Sequence, residues 1–134
     1  RDRCLQIRPG LILAGVDDLT MHLRNGQRKN FMAAVLSGCP KGATVLFSHS
    51  PLQVTEAAEA GADLMLSGHT HGGQIWPFGY LVQQLYTYLV GRHEINGMSL
   101  IISRGAGLWG PRMRLWHPAE ILLVTLSAKK GGEN

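Results

Sequence analysis

Three histidines stand where imidazoles can act together. Ser67-Gly68-His69-Thr70-His71-Gly72-Gly73-Gln74 carries two of them one residue apart, directly after the apolar run Asp63-Leu64-Met65-Leu66. The third lies in Phe47-Ser48-His49-Ser50-Pro51, at the end of a second apolar run, Ala43-Thr44-Val45-Leu46-Phe47. Imidazole is the commonest protein ligand for transition metals. Flanking glycines let the backbone bend sharply and come close to an ion or anion. Open α/β sheets put their sites at the carboxyl ends of strands, so two neighbouring strands would bring His49, His69 and His71 into one metal-binding cluster. Taken without further context, the residues leave ligation and ordinary packing equally open.

The elements that must position these side chains follow from hydrophobic periodicity and punctuation. The pattern predicts strands over 3–8 and 11–14, an amphipathic helix over 27–36 with Phe31, Val35 and Leu36 on one face, and a strand over 43–47. Ser37-Gly38-Cys39-Pro40 ends the first helix. Pro51 opens a second helix at a first-turn position and Gly61 stops it near Ala60. The strand over 63–66 then delivers the central motif. Strand, helix, strand in succession implies parallel pairing, which makes the ends carrying His49 and His69 neighbours. Residues 81–90 read as a helix with Leu81, Leu85 and Leu89 on one face. Residues 93–103 read as a hairpin turning at Asn96-Gly97, and 120–126 as a last strand.

The wording of Phe47-Ser48-His49-Ser50-Pro51, of Gly68-His69-Thr70-His71-Gly72-Gly73-Gln74-Ile75-Trp76-Pro77-Phe78 and of Ser103-Arg104-Gly105-Ala106-Gly107-Leu108-Trp109-Gly110-Pro111 closely resembles the calcineurin-like metallophosphoesterases. Within them it is most similar to the bacterial branch of membrane-associated phosphodiesterases. The resemblance runs from Leu11 to Leu126 and covers the C-terminal half of that family's domain. The Asp-x-His, Gly-Asp-x-x-Asp and Gly-Asn-His-Asp or Gly-Asn-His-Glu motifs of the amino-terminal half are not found in these residues. The resemblance implies an α/β fold: half of a four-layer α/β/β/α sandwich, with a mixed sheet and flanking helices. Residues 1–128 would form this part of the domain and 129–134 a disordered tail.

The same resemblance implies a metal-dependent phosphoesterase, of phosphodiesterase type, working through two divalent ions drawn from Mn, Zn, Fe or Mg. His49 and His69 would hold one ion and His71 the other, with the remaining ligands and the leaving-group acid coming from the half that is not here. Two ions about 4 Å apart can clamp a phosphoryl group and activate water. On this basis the fragment alone is expected to be inactive. Two other classes stay open: a non-catalytic metal-binding or partner-binding module, and a mononuclear zinc hydrolase that uses the three histidines with an open fourth position. For the latter, Asp17 and Asp18 are the only carboxylates near a motif, and adjacent carboxylates after a strand more often cap the next element.

Arg104, in a glycine-rich loop with Arg112 and Arg114, is the candidate for bracing a substrate phosphate by bidentate hydrogen bonding, with pinning of the loop as the ordinary alternative. His22, His93 and His117 lack glycine flanks and strand-end placement and read as surface or packed residues. Trp76, Phe78 and Tyr80 read either as core or as an exposed lip beside the site, and a lip would suit a lipid-linked phosphate ester or a membrane surface.

Totals bound the rest. The chain has 134 residues, 16% charged and 45% hydrophobic, with a net charge of +4. That composition supports a modest core and excludes a disordered chain. The basic residues are scattered and do not interleave with aromatics, which argues against a nucleic-acid partner. Cys4 and Cys39 fit neither a Cys-x-x-Cys pair nor a disulfide-rich scaffold and are expected as thiols of a reducing compartment. No stretch reads as a secretory signal, and no apolar run approaches the roughly 20 residues of a spanning helix. The expected location is cytoplasmic or peripheral at the membrane. An uncovered sheet face predicts docking of the absent half or self-association.

Overall fold

The computed structural model describes residues 2–20 and 31–128. Six strands form one mixed sheet: β1 (Arg3–Arg8), β2 (Leu11–Gly15), β3 (Ala43–Phe47), β4 (Leu64–Ser67), β5 (Gly91–Ile95) and β6 (Met98–Ile102), in the order β1-β2-β3-β4-β6-β5. The four central strands β2, β3, β4 and β6 run parallel, and β1 and β5 close the edges antiparallel. This is the expected α/β architecture.

Register sorts the side chains into two unlike faces, because successive residues of a strand point to opposite sides. Ala14, Leu46, Met65 and Leu100 are paired across β2, β3, β4 and β6 and are all buried. Helices α1 (Phe31–Ser37) and α2 (Val54–Glu59) touch each other, α1 reaches β1 and α2 reaches β5. Their Met32, Leu36, Val54 and Ala57 complete the same core. On the other face the aligned row Leu5, Leu13, Val45 and Leu64 runs from a side chain 62% exposed at Leu5 to buried Val45 and Leu64. Phe47, one pleat further along, is 46% exposed.

Several expectations are corrected. The second helix starts at Val54 rather than Pro51, because Gln53 sits in the left-handed region (φ 52°) and interrupts the turn. The predicted helix over 81–90 shrinks to α3 (Gly79–Val82). Leu81 and Leu85 are exposed, and an apolar stripe with nothing to pack against adds little to helix stability. Residues 120–126 form no strand; the Glu120 amide donates to Gly105, and Ile121 and Leu123 face solvent. Cys4 and Cys39 are joined in a disulfide with their Cα atoms 5.3 Å apart, so they are not the expected thiols. The bond ties β1 to the turn after α1, on the covered face. The hairpin matches its prediction, with Asn96 (φ 49°) and Gly97 (φ 85°) both left-handed as a two-residue turn of this type requires. The start of the first predicted helix, His22 and the tail 129–134 lie outside the described residues.

Candidate metal centre

Parallel pairing of β3 and β4 continues past their ends and brings two histidine loops together. The Ser48 amide donates to the Leu66 carbonyl (3.1 Å) and the Gly68 amide to the His49 carbonyl (3.0 Å). As a result His69 Nδ1 lies 3.0 Å from His49 Nε2, with the rings edge to face. Tyr86 also meets the His69 ring edge to face, with the ring centroids 5.5 Å apart. Two ring nitrogens at this separation cannot both present lone pairs comfortably. They share either one proton or one cation.

Beyond β4 the chain curls through a run of left-handed residues: His69 (φ 67°), His71 (φ 51°), Gly72 (φ 62°), Gly73 (φ 84°) and Gln74 (φ 53°). A non-glycine residue in this region costs roughly 1–3 kcal/mol, and such outliers gather at functional sites. The surroundings hold the curl in place. Thr70 donates its hydroxyl to the Leu89 carbonyl. The 3₁₀ turn His71–Gly73 packs on α3 so closely that a Cβ on Gly73 would fall on the Gly79 backbone.

His71 has a different neighbour from its two companions. Its Nδ1 is 3.3 Å from the Arg114 guanidinium. Among the described residues no group of three or more His, Cys, Asp or Glu side chains is placed to hold a metal ion. The three-histidine cluster expected from sequence is thus drawn as a His49–His69 pair with His71 beside it. The donor chemistry fits part of a transition-metal shell: two imidazole nitrogens facing one point, with room in the set for His71 and for further ligands.

Electrostatics favour the neutral form of His69 and His71. Burial holds His69 below the usual histidine range, assisted by the like charge of His49 and opposed by Asp18. Burial also lowers His71, and the Arg114 charge adds to it. Asp18 lies behind the pair. Burial raises its pKa, but hydrogen bonds from the Thr20 amide and hydroxyl and from Ser50, together with the His49 charge, leave it below the usual carboxylate value. Asp18 therefore acts as the cap that sequence favoured, and its bond to Ser50 (2.8 Å) also anchors the loop carrying His49.

Arg104 packs its side chain against Gly72. Its Nη1 pairs with Glu120 Oε2 at 3.3 Å and its amide donates to Glu120 Oε1 at 2.6 Å, which is the loop-pinning arrangement. His93 contacts the Val90 carbonyl (3.0 Å) and stacks on Tyr88, as a packed residue would. His117 only lends its carbonyl to Arg114. Sequence reading missed Gln74 and Arg114. Gln74 is 3% exposed, its amide nitrogen donates to the Trp109 (2.6 Å) and Pro111 (3.0 Å) carbonyls, and its amide oxygen accepts from the Trp109 amide (2.6 Å). The only signal was the glycine-rich loop with its three arginines, where Arg104 drew the attention.

The chain is similar to several curated proteins. It is 38% identical over 122 residues to an uncharacterized metallophosphoesterase of Helicobacter pylori, covering 90% of this chain and 33% of that protein. It is 33% identical over 137 residues to one of Aquifex aeolicus, covering 96% of this chain and 50% of that protein. The chain belongs to the metallophosphoesterase family. A bovine transmembrane protein with a metallophosphoesterase domain is 34% identical over 123 residues, covering 88% of this chain and 28% of that protein. Across these three metallophosphoesterases the chain spans between 28% and 50% of the relative's length. No family model and no solved structure matches the chain. Membership in this family implies the use of divalent metal ions.

Proposed function

We propose that this metallophosphoesterase chain carries part of a divalent-metal site for phosphoester hydrolysis, of phosphodiester type. The observation that carries the reading is the His49–His69 pair, two nitrogens 3.0 Å apart where adjacent parallel strands end. His49 and His69 would hold one ion and His71 a second; when bound, two ions polarise the phosphoryl group and lower the pKa of attacking water. The chain's own part is to present His69 and His71 in the neutral form that burial favours and to hold the His69–Gln74 curl in place. Arg104 would brace a phosphate oxygen with the guanidinium edge turned away from Glu120. Further ligands and the leaving-group acid would come from residues beyond these.

The test is elemental analysis of the purified chain and of a His49→Ala, His69→Ala variant, with bis-p-nitrophenyl phosphate hydrolysis read on the same samples. The reading expects Mn, Zn or Fe bound by the parent and lost from the variant. Equal metal content in both would overturn it. Metal retained by the parent without turnover would point to a site whose chemistry needs the rest of the longer proteins, or to a non-catalytic metal-binding module.

The neighbourhood of the site favours a lipid-linked ester or a membrane surface as partner. Residues 75–90 include no charged side chain, and 105–117 include Arg112 and Arg114 but no acid. These two segments meet in the Trp76–Trp116 and Phe78–Trp109 ring contacts, and Trp76, Phe78, Tyr80, Trp109 and Trp116 are all exposed. Exposed aromatics with basic flanks suit an anionic interface. No helix among the described residues is long and apolar enough to cross a membrane. In vesicle sedimentation with phosphatidylglycerol, a Trp76→Ser, Trp109→Ser, Trp116→Ser variant should lose most of the parent's binding while keeping its melting temperature.

A further inference from the structure

We infer that Gln74 is the positioning residue of the aromatic lip. Its buried side-chain amide holds the 105–117 loop against the end of the histidine turn, which presents Trp109 and Trp116 beside Phe78 and Trp76 as one preassembled surface for an anionic bilayer. The inference rests on the reading of that lip as a membrane surface, and Gln74 itself touches no lipid.

The loop has little of its own to keep it in place. Two of its glycines, Gly105 (φ 69°) and Gly110 (φ 62°), are left-handed, and glycine backbone loses the most freedom on being ordered. Burial does not offset this, since Leu108, Trp109, Met113 and Trp116 are all exposed. Gln74, only 3% exposed, supplies polar bonds instead. Its Oε1 accepts from the Trp109 amide (2.6 Å), and its Nε2 donates to the carbonyls of Trp109 (2.6 Å) and Pro111 (3.0 Å). A side-chain amide has two N–H donors and one acceptor oxygen, so each of its polar atoms is spent on this loop. The main chain grips a second point: the Gln74 carbonyl accepts from the Leu115 amide (3.1 Å), and the Trp76 amide donates to the Leu115 carbonyl (3.3 Å). Gln74 is itself left-handed (φ 53°), directly after Gly72 and Gly73. Glycine would be the least strained residue there, and it would leave Trp109 and Pro111 without these partners.

This grip sets where the aromatics lie. Trp109 stacks on Phe78 with ring centroids 6.3 Å apart, and Trp116 tilts onto Trp76 at 5.1 Å. Trp76 and Phe78 follow Gln74 by two and four residues, so the two halves of the lip are joined where Gln74 ties their backbones. Without the side-chain amide, the Trp109 amide and two carbonyls would turn to water for partners, and the loop would leave the turn. A bilayer would then have to reassemble the lip, and apparent affinity falls with the fraction of molecules that hold it assembled.

The test is sedimentation with phosphatidylglycerol vesicles, beside amide hydrogen exchange in the lipid-free chain. The Trp109 amide should exchange slowly in the parent. In Gln74→Met, which keeps the length of the side chain without its polar atoms, it should exchange at the rate of an open loop. If the assembled lip falls to about a tenth of the molecules, vesicle binding weakens about 10-fold. Added to Trp109→Ser, Trp116→Ser, the same change should weaken binding no further, a result that general loss of structure would not give. Should Gln74→Met not fold, Gln74→Glu replaces it: an acceptor for the Trp109 amide remains, an oxygen is set against the two carbonyls, and the same weakening is expected. A fast-exchanging Trp109 amide in the parent, unchanged vesicle binding in the single variant, or further weakening in the triple variant would overturn the proposal while the lip keeps its reading. A parent that does not bind the vesicles would overturn that reading and the proposal with it.

Discussion

Neutral imidazole is the form that folding favours at His69 and His71. Both are held below the reference value of 6.5, chiefly by burial. As pH falls, the unfolded chain takes up these protons before the folded chain does, so the folded state loses ground. Stability of the metal-free protein should therefore be fully present above pH 6.5 and decline as pH drops from there through the lowered folded values. Urea unfolding at pH 8, 6 and 5 checks this, and the decline should be shallower in a His69→Ala, His71→Ala variant. The histidines were legible in sequence because glycine flanks and strand-end placement are local. Their partners were not. Arg114 is 43 residues from His71, and nothing in its immediate neighbours singles it out from Arg104 or Arg112.

The turn after β4 depends on one glycine more than on the others. A Cβ at Gly73 would lie 2.3 Å from the Gly79 Cα and 2.7 Å from its nitrogen, and φ is +84°. Both α3 and the turn would have to shift, so Gly73→Ala should cost more than about 2 kcal/mol, combining steric clash with left-handed strain. Thermal and urea unfolding would show it; a loss under 0.5 kcal/mol by either measurement would mean the two elements are not in contact. Elements with strong local signals appeared where the sequence put them. The strand over 43–47 and the Asn96-Gly97 hairpin are fixed by alternation, apolar runs and turn chemistry. The segments over 81–90 and 120–126 have helix and strand composition, yet Leu85 is 76% exposed and Leu123 93% exposed. Composition permits an element; a packing partner decides whether it forms.

One covered face and one partly open face make the sheet asymmetric. The helices bury Ala14, Leu46, Met65 and Leu100, while on the other face Val45 and Leu64 are buried and Leu5 and Phe47 remain open. An apolar sheet surface is stable when another layer covers it, so the exposed Leu5 and Phe47 should drive concentration-dependent self-association. Sedimentation velocity over a hundredfold concentration range should show it, and Leu5→Glu with Phe47→Glu should restore a monomer; a parent that stays monomeric throughout would contradict this. The disulfide acts at the same scale. It closes a loop between positions 35 apart, a constraint worth about 2–4 kcal/mol against the unfolded chain.

By itself, the sequence determined the α/β class, the strand ends bearing His49 and His69, and the family, because periodicity, glycine punctuation and a contiguous motif are properties of neighbouring residues. The neighbouring of His49 and His69 was legible from strand order, and only the tertiary structure decided that His71 turns to Arg114. It likewise decided that Gln74 locks the loop, that Cys4 reaches Cys39 and that the aromatics form one exposed lip. Each of these depends on contacts between residues more than 30 positions apart in the chain, and no local rule encodes such contacts.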